Sequence, residues 1–278
     1  MIQDMLGSFA YIGVTFFFMT SGFGLKLGQT KNPASIKTFW RRRLPKLLVP
    51  CVLVNVVGVL IALFKGSSIS LLSFIAINAW VRWLLVCYLI FWIVYRISDL
   101  RKSGWQQDAI ICAFVISFSA VIYAFREHIT QTTWCPEIFG FVWGVLLSRM
   151  KENFSYWMDK SWLKKCIIFC FVAGTLGVLY LKFKPVVFFG DYLLKILLGV
   201  AIITFMLALN ARLEIGNKIS NFLGSISFEI YLLHGTVFGL IESIAPKINS
   251  GIFIVISIIL DFRVSRSLKK SARSRKKY

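Results

Sequence analysis

Two groups of residues in this chain can do chemistry that an apolar helix does not need. The first is Arg41, Arg42, Arg43 and Lys46, at the mouth of an apolar run. Arg42 and Lys46 stand four apart and share a helical face. Arginine forks and helix N-termini both favour phosphate oxygens, so the cluster suits a phosphate-bearing ligand; an anchor on anionic lipid is the alternative. The second group, Glu229, Tyr231 and His234, lies inside a later apolar run. Ionisable groups are expensive in a bilayer and mark an interior cavity. Tyr231 and His234 share a face, and an imidazole there can take a hydroxyl proton near neutral pH or simply bond a backbone carbonyl. Glu229, nearer the basic end, is expected to meet Arg43 or Lys46. A third element, Ser21-Gly22-Phe23, closes the first apolar run. Ser21 can donate to a carbonyl or a ligand, and Gly22, Gly24 and Gly28 permit close helix approach or a left-handed turn.

The elements that must position these residues are membrane helices. Of 278 residues, 58% are hydrophobic and 16% charged, and the mean hydropathy is +0.74. That is too apolar for a soluble domain of this size, so the fold class is an all-α, polytopic integral membrane bundle. The formal charge of +20 does not point to nucleic acid, because the basic residues fall between apolar runs rather than on one wet face. The apolar runs are 5–25, 44–64, 83–95, 109–125, 135–147, 162–181, 192–209, 225–243 and 251–262, about nine spans at roughly 20 residues each. The third, fifth and last are short and are expected to extend into their flanks; 69–79 reads as a re-entrant or interfacial helix. Residues 1–262 are read as one transmembrane domain and 263–278 as a polybasic tail.

Alternate loops divide the charge unequally. Most of the 32 Lys and Arg residues fall in 26–46, 96–108, 149–165, 210–225 and the tail, which places that side and the C-terminus in the cytoplasm and the N-terminus outside. Asp191 and Lys195 are expected to pair at i, i+4 near the outer surface, where His128 lies in a solvated loop. Trp80, Trp83, Trp105, Trp134, Trp157 and Trp162 fall where an interfacial belt is expected. Cys51, Cys87, Cys112, Cys135, Cys166 and Cys170 form no CxxC pair and read as buried thiols, with neither metal nor disulfides. No P-loop, Rossmann glycine pattern, zinc motif or internal repeat is present.

In order and approximate spacing, FFFMTSGFGL, FWRRRLPKLLVP, RWLLVCYLIFWIVY and SISFEIYLLHGTVFGLI resemble membrane acyltransferase family 3, the integral-membrane O-acyltransferases of cell-surface glycans. The resemblance spans nearly the whole chain. It implies transfer of acetyl from cytoplasmic acetyl-CoA to a hydroxyl of an exported or lipid-linked polysaccharide in the cell membrane, with the bilayer and the glycan acceptor as partners and no metal. It implies that Arg42, Arg43, Lys46 and Ser21 bind the acyl-CoA, that Trp83, Glu229 and Tyr231 line the cavity, and that His234 is the candidate catalytic residue. The chain departs from the family pattern in three places. Lys46 stands where members carry Arg, keeping the charge and losing the fork. Leu84 to Tyr88 follow Trp83 without the acidic residue many members have. Members also place their catalytic histidine on a helix before the Ser-Gly-Phe helix, and this chain is expected to lack that helix. The competing readings are a glycan exporter or transporter, with Lys195, Glu229 and His234 along its path, and a catalytically inactive, truncated member.

Overall fold

The computed structural model describes residues 9, 11–64, 66, 76–97, 104–126, 135–213, 217–244 and 260, which are helical apart from short connections, with no strand among them. Nine α-helices are described: α1 (Tyr11–Lys31), α2 (Phe39–Phe64), α3 (Ala79–Ile97), α4 (Gly104–Ala124), α5 (Phe139–Arg149), α6 (Lys151–Asp159), α7 (Trp162–Phe183), α8 (Lys195–Asn210) and α9 (Lys218–Ile244). Short 3-10 segments, Pro33–Thr38 and Pro136–Ile138, lead into α2 and α5, and a π-helical turn, Phe189–Leu194, leads into α8. His128, Trp134, nearly all of the 251–262 span, most of 69–79 and the tail lie outside the described residues.

Among the described residues, five segments are long and apolar enough to cross a membrane: Pro33–Leu63, Ala79–Ile97, Gly104–Ala124, Trp162–Phe183 and Phe189–Asn210. The chain is a multi-pass membrane protein. The third apolar run extends into its flank as expected, since α3 starts at Ala79. The fifth does not become a full span: α5 has 11 residues, roughly 17 Å, about half the ~30 Å hydrocarbon core.

Two expected boundaries move. Ser21-Gly22-Phe23 does not end the first helix, which continues to Lys31 because Gly24 and Gly28 keep right-handed backbone and Leu25, Lys26 and Leu27 are good helix formers. Likewise α2 begins at Phe39, so the basic cluster lies inside the helix, and Pro45 and Pro50 are both internal. The preceding 3-10 segment, opened by Pro33, feeds straight into the arginines, which favour helix. Each internal proline leaves the carbonyl four residues back, at Arg41 and Lys46, without its helical donor.

Described residues group into two compact units, one from Met1–Phe39 and Ala79–Ile215, the other from Trp40–Asn78 and Gly216–Tyr278. In the first, α1 and α5 pack backbone to backbone. A Cβ at Gly22 would overlap the Phe141 carbonyl, one at Gly140 the Thr15 carbonyl, and one at Gly144 the Met19 carbonyl. Gly140-x-x-x-Gly144 is the small-residue spacing that lets membrane helices approach closely, and the ascending pairs 15 with 140 and 19 with 144 make the two helices parallel. Around this seam Met19, Leu147 and Ile203 form one core cluster, and Tyr11, Tyr180, Leu194 and Leu198 another. Trp80 is fully buried, stacked on Phe17 at 5.5 Å, rather than at an interfacial belt. None of the six cysteines is in a disulfide; five are buried as expected, but Cys170 is exposed on α7, whose Leu163, Ile167, Phe171 and Val178 are also exposed. In the second unit, α2 meets α9 where Gly58 faces Thr236, whose Cγ2 lies 3.7 Å from the position of an added Cβ.

Candidate functional site

Charge in the first unit is concentrated on one acid. Asp108, in the first turns of α4, has a fully buried side chain, and an ionised carboxylate there is tolerable only when paired and hydrogen-bonded. It is both. Lys26 of α1 reaches Oδ1 at 2.7 Å, Arg149 at the end of α5 donates to Oδ2 at 2.6 Å, and the Tyr95 hydroxyl of α3 donates to Oδ1 at 3.0 Å. Lys26 Nζ also donates to the Tyr95 hydroxyl at 2.7 Å. Four helices thus converge on one carboxylate. Beside it opens a cavity of about 510 Å³, lined among others by Lys26, Gln29, Thr30, Tyr95, Ser148 and Arg149, within the range of about 300–1,000 Å³ typical of small-molecule sites.

The opposite ends of the same two helices carry a second buried charge. Glu137, in the 3-10 turn before α5, is fully buried, and Lys195 lies 3.5 Å from its Oε1. Asp191 also approaches Lys195, at 3.3 Å, as its i, i+4 spacing predicts. The Tyr11 hydroxyl donates to the Lys195 carbonyl at 3.4 Å, and the Lys195 ammonium lies 5.1 Å from the Tyr11 ring centroid. Tyr11 and Lys26 are fifteen residues apart on α1, roughly 22 Å, so a charge cluster pins each end of the α1–α5 pair.

The residues singled out in the sequence divide between the units. Ser21 and Trp83 belong to the first. Ser21 accepts a hydrogen bond from the Tyr88 hydroxyl at 3.3 Å. Trp83 packs edge-on against Phe118 at 5.7 Å, and its buried Nε1 has no hydrogen-bond partner among the described residues. The others belong to the second. Arg41, Arg42 and Lys46 are exposed and Arg43 is half-buried on α2. On α9, His234 Nδ1 lies 2.5 Å from the Tyr231 carbonyl oxygen, with the Tyr231 ring 5.0 Å and the Phe238 ring 5.7 Å from its own. With the proton on Nδ1, assigned by that contact, Nε2 carries a lone pair. The contact is the one expected of a histidine bonded to a backbone carbonyl.

The expected pairing of Glu229 with Arg43 or Lys46 is not formed; Glu229 Oε2 is buried without a hydrogen-bond partner among the described residues. Depth explains it. Arg43 and Lys46 lie fifteen and twelve residues before Gly58, roughly 18–22 Å along α2, whereas Glu229 lies seven before Thr236, roughly 10 Å along α9. With Gly58 and Thr236 in register, the acid and the cations sit at different levels.

Sequence reasoning missed the four-residue cluster on Asp108 and the acid at Glu137. Signals existed for both. Glu137 falls inside an apolar run, where an ionisable group is itself a site marker, and Asp108 is one of only 12 acidic residues, placed at the start of an apolar helix.

Comparison with known proteins adds one finding: the family model described as an acyltransferase domain matches residues 1–260. None of the curated proteins and none of the solved structures compared with the chain matches it.

Proposed function

The chain belongs to the acyltransferase domain family, and from that premise we propose that it is a membrane O-acyltransferase, moving acetyl from cytoplasmic acetyl-CoA to a hydroxyl of an exported or lipid-linked polysaccharide. The observation that carries this reading is the family match over residues 1–260 of a chain with several membrane-crossing helices. In the reaction the sugar hydroxyl oxygen bonds the thioester carbonyl carbon, the hydroxyl proton passes to a base, the C–S bond breaks, and CoA leaves as a thiol after taking a proton. No metal takes part.

The residues divide the work as follows. Arg42, Arg43 and Lys46 bind a phosphate group of the acyl-CoA at the cytoplasmic end of α2. The bland alternative for that cluster, an anionic-lipid anchor, shares the same charge; acyl-CoA is preferred because the family reaction needs a donor. Glu229 and Tyr231 line the acyl cavity, and His234 Nε2 is the proton acceptor within this chain. In this reading the protein sits in the cell membrane with its C-terminus in the cytoplasm, the side to which the loop charges point.

The test is radiolabelled acetyl transfer by the full chain reconstituted in vesicles, with acetyl-CoA outside and cell-surface polysaccharide as acceptor. Label appearing in an alkali-labile ester on the glycan supports the reading. Polysaccharide flux across the vesicle without any esterified label sinks it in favour of an exporter.

A further inference from the structure

We propose that the cavity beside Asp108 is a binding site for a phosphate-bearing ligand, held by Lys26, Arg149 and Ser148. The argument starts from charge. Two cations share one buried carboxylate, so among the described residues the cluster carries one net positive charge, and Lys26 and Arg149 both line the cavity. An anion in the cavity removes that imbalance.

Donor counting gives the same answer. Asp108 takes one hydrogen bond from Arg149, one of the five N–H donors a guanidinium offers, and the Arg149 side chain remains 32% exposed where it lines the cavity. Lys26 Nζ spends two of its three donors on Asp108 and Tyr95. Ser148 Oγ, on the same cavity wall, is shielded from solvent and has no hydrogen-bond partner among the described residues, an expensive state for a hydroxyl. A planar fork, an ammonium and a hydroxyl lining one cavity match the several acceptor oxygens of a phosphate group better than the two of a carboxylate. Pro33 and Ile36 supply an apolar wall for whatever the phosphate is attached to.

Two sources offer this chemistry. One is the 3′-phosphate or diphosphate of the acyl donor, and in that form the inference rests on the acyltransferase reading; the other is an anionic lipid headgroup. The full chain in neutral phosphatidylcholine nanodiscs is titrated calorimetrically with CoA, with pantetheine, which lacks phosphate, and with inorganic pyrophosphate. Its melting temperature is then compared with that in discs containing phosphatidylglycerol. Arg149→Gln and Ser148→Ala are measured in parallel. The serine variant removes only one oxygen, which keeps the test valid should the arginine variant fold poorly.

The expected result is that CoA and pyrophosphate bind, that Arg149→Gln weakens both at least about tenfold and Ser148→Ala about three- to tenfold, and that pantetheine is indifferent to either change. If CoA shows no such dependence but phosphatidylglycerol raises the melting temperature through Arg149 and Ser148, the site stands and its ligand is lipid. If no probe's effect changes in either variant, the inference is overturned and the cluster is a structural lock alone. Failure of the acyltransferase reading is seen separately: no acetyl ester forms, while pyrophosphate binding keeps its dependence on Arg149.

Discussion

Replacing Asp108 with Asn changes one charge and almost no shape, so it isolates what the carboxylate does. The variant leaves an amide whose oxygen, in the place of Oδ1, still accepts from Tyr95 and Lys26 but no longer carries the charge that pairs with them, and whose NH₂, in the place of Oδ2, opposes the Arg149 donor. Removing one partner of a buried ion pair is worth about 3–5 kcal/mol. Arg149 is 32% exposed and its share is reduced by solvent, whereas the Lys26 side chain is 9% exposed and carries most of the loss, so about 3 kcal/mol is expected. The assay is reversible unfolding of the full chain in mixed micelles, read by tryptophan fluorescence. Lys26→Met and the double variant complete a cycle. With Lys26 already neutral, Asp108→Asn should cost at least about 1 kcal/mol less than it does alone, the range seen for residues in one network. A single variant within about 0.5 kcal/mol of wild type, or strictly additive singles, refutes the claim that this acid holds the helix ends together.

The glycine seam makes a paired prediction. Gly144→Ala forces a methyl into the Met19 carbonyl, a backbone atom that cannot rotate away, and should lower stability by about 1–3 kcal/mol; Gly24→Ala, with nothing within 4 Å of the added carbon, should be neutral or stabilising by up to about 1 kcal/mol, and equal melting temperatures for the two variants would sink the packing argument. In the acetyl-transfer assay, Arg43→Gln is expected to raise the KM for acetyl-CoA about tenfold or more with kcat nearly kept; an unchanged KM assigns that cluster to lipid. His234→Ala should lower kcat about 100-fold or more, the size of general-base catalysis, at constant KM, whereas a loss under about threefold makes His234 a lining residue.

Sequence pattern made the helical membrane fold legible, because long apolar runs bounded by charge have few other solutions. The same habit hid the main charge cluster. Lys26 and Arg149 stand at the edges of apolar runs and were counted with the basic loops 26–46 and 149–165, as topology markers; only the continuation of α1 to Lys31 and the end of α5 at Arg149 carry both to Asp108. Their separations along the chain, 82 residues from Lys26 and 41 from Arg149, leave no local periodicity to reveal the contact. Gly22 was legible as a close-approach residue, but its partner helix was not, since Gly140 and Gly144 gain meaning only once α5 lies parallel to α1.

That parallel pair explains why the chain buries charge at all. In lipid, apolar side chains gain little by meeting one another, so helices associate through backbone proximity and polar contacts. A glycine seam brings α1 and α5 close, yet small residues alone leave the register soft. The two charge clusters set it. A slip of α5 by one residue along the axis, about 1.5 Å, would stretch Arg149–Asp108 at one end and Lys195–Glu137 at the other, and the same slip of α1 would stretch Lys26–Asp108 and the Tyr11–Lys195 hydrogen bond. Because Arg149 ends α5 and Lys26 lies in the last turns of α1, the register that satisfies Asp108 is also the one that shapes the 510 Å³ cavity. Occupancy of that cavity and the stability of the helix pair are therefore one equilibrium: a ligand that binds only the paired state raises the unfolding free energy by RT ln(1 + [L]/Kd), and Gly144→Ala should weaken pyrophosphate binding although it touches no phosphate contact.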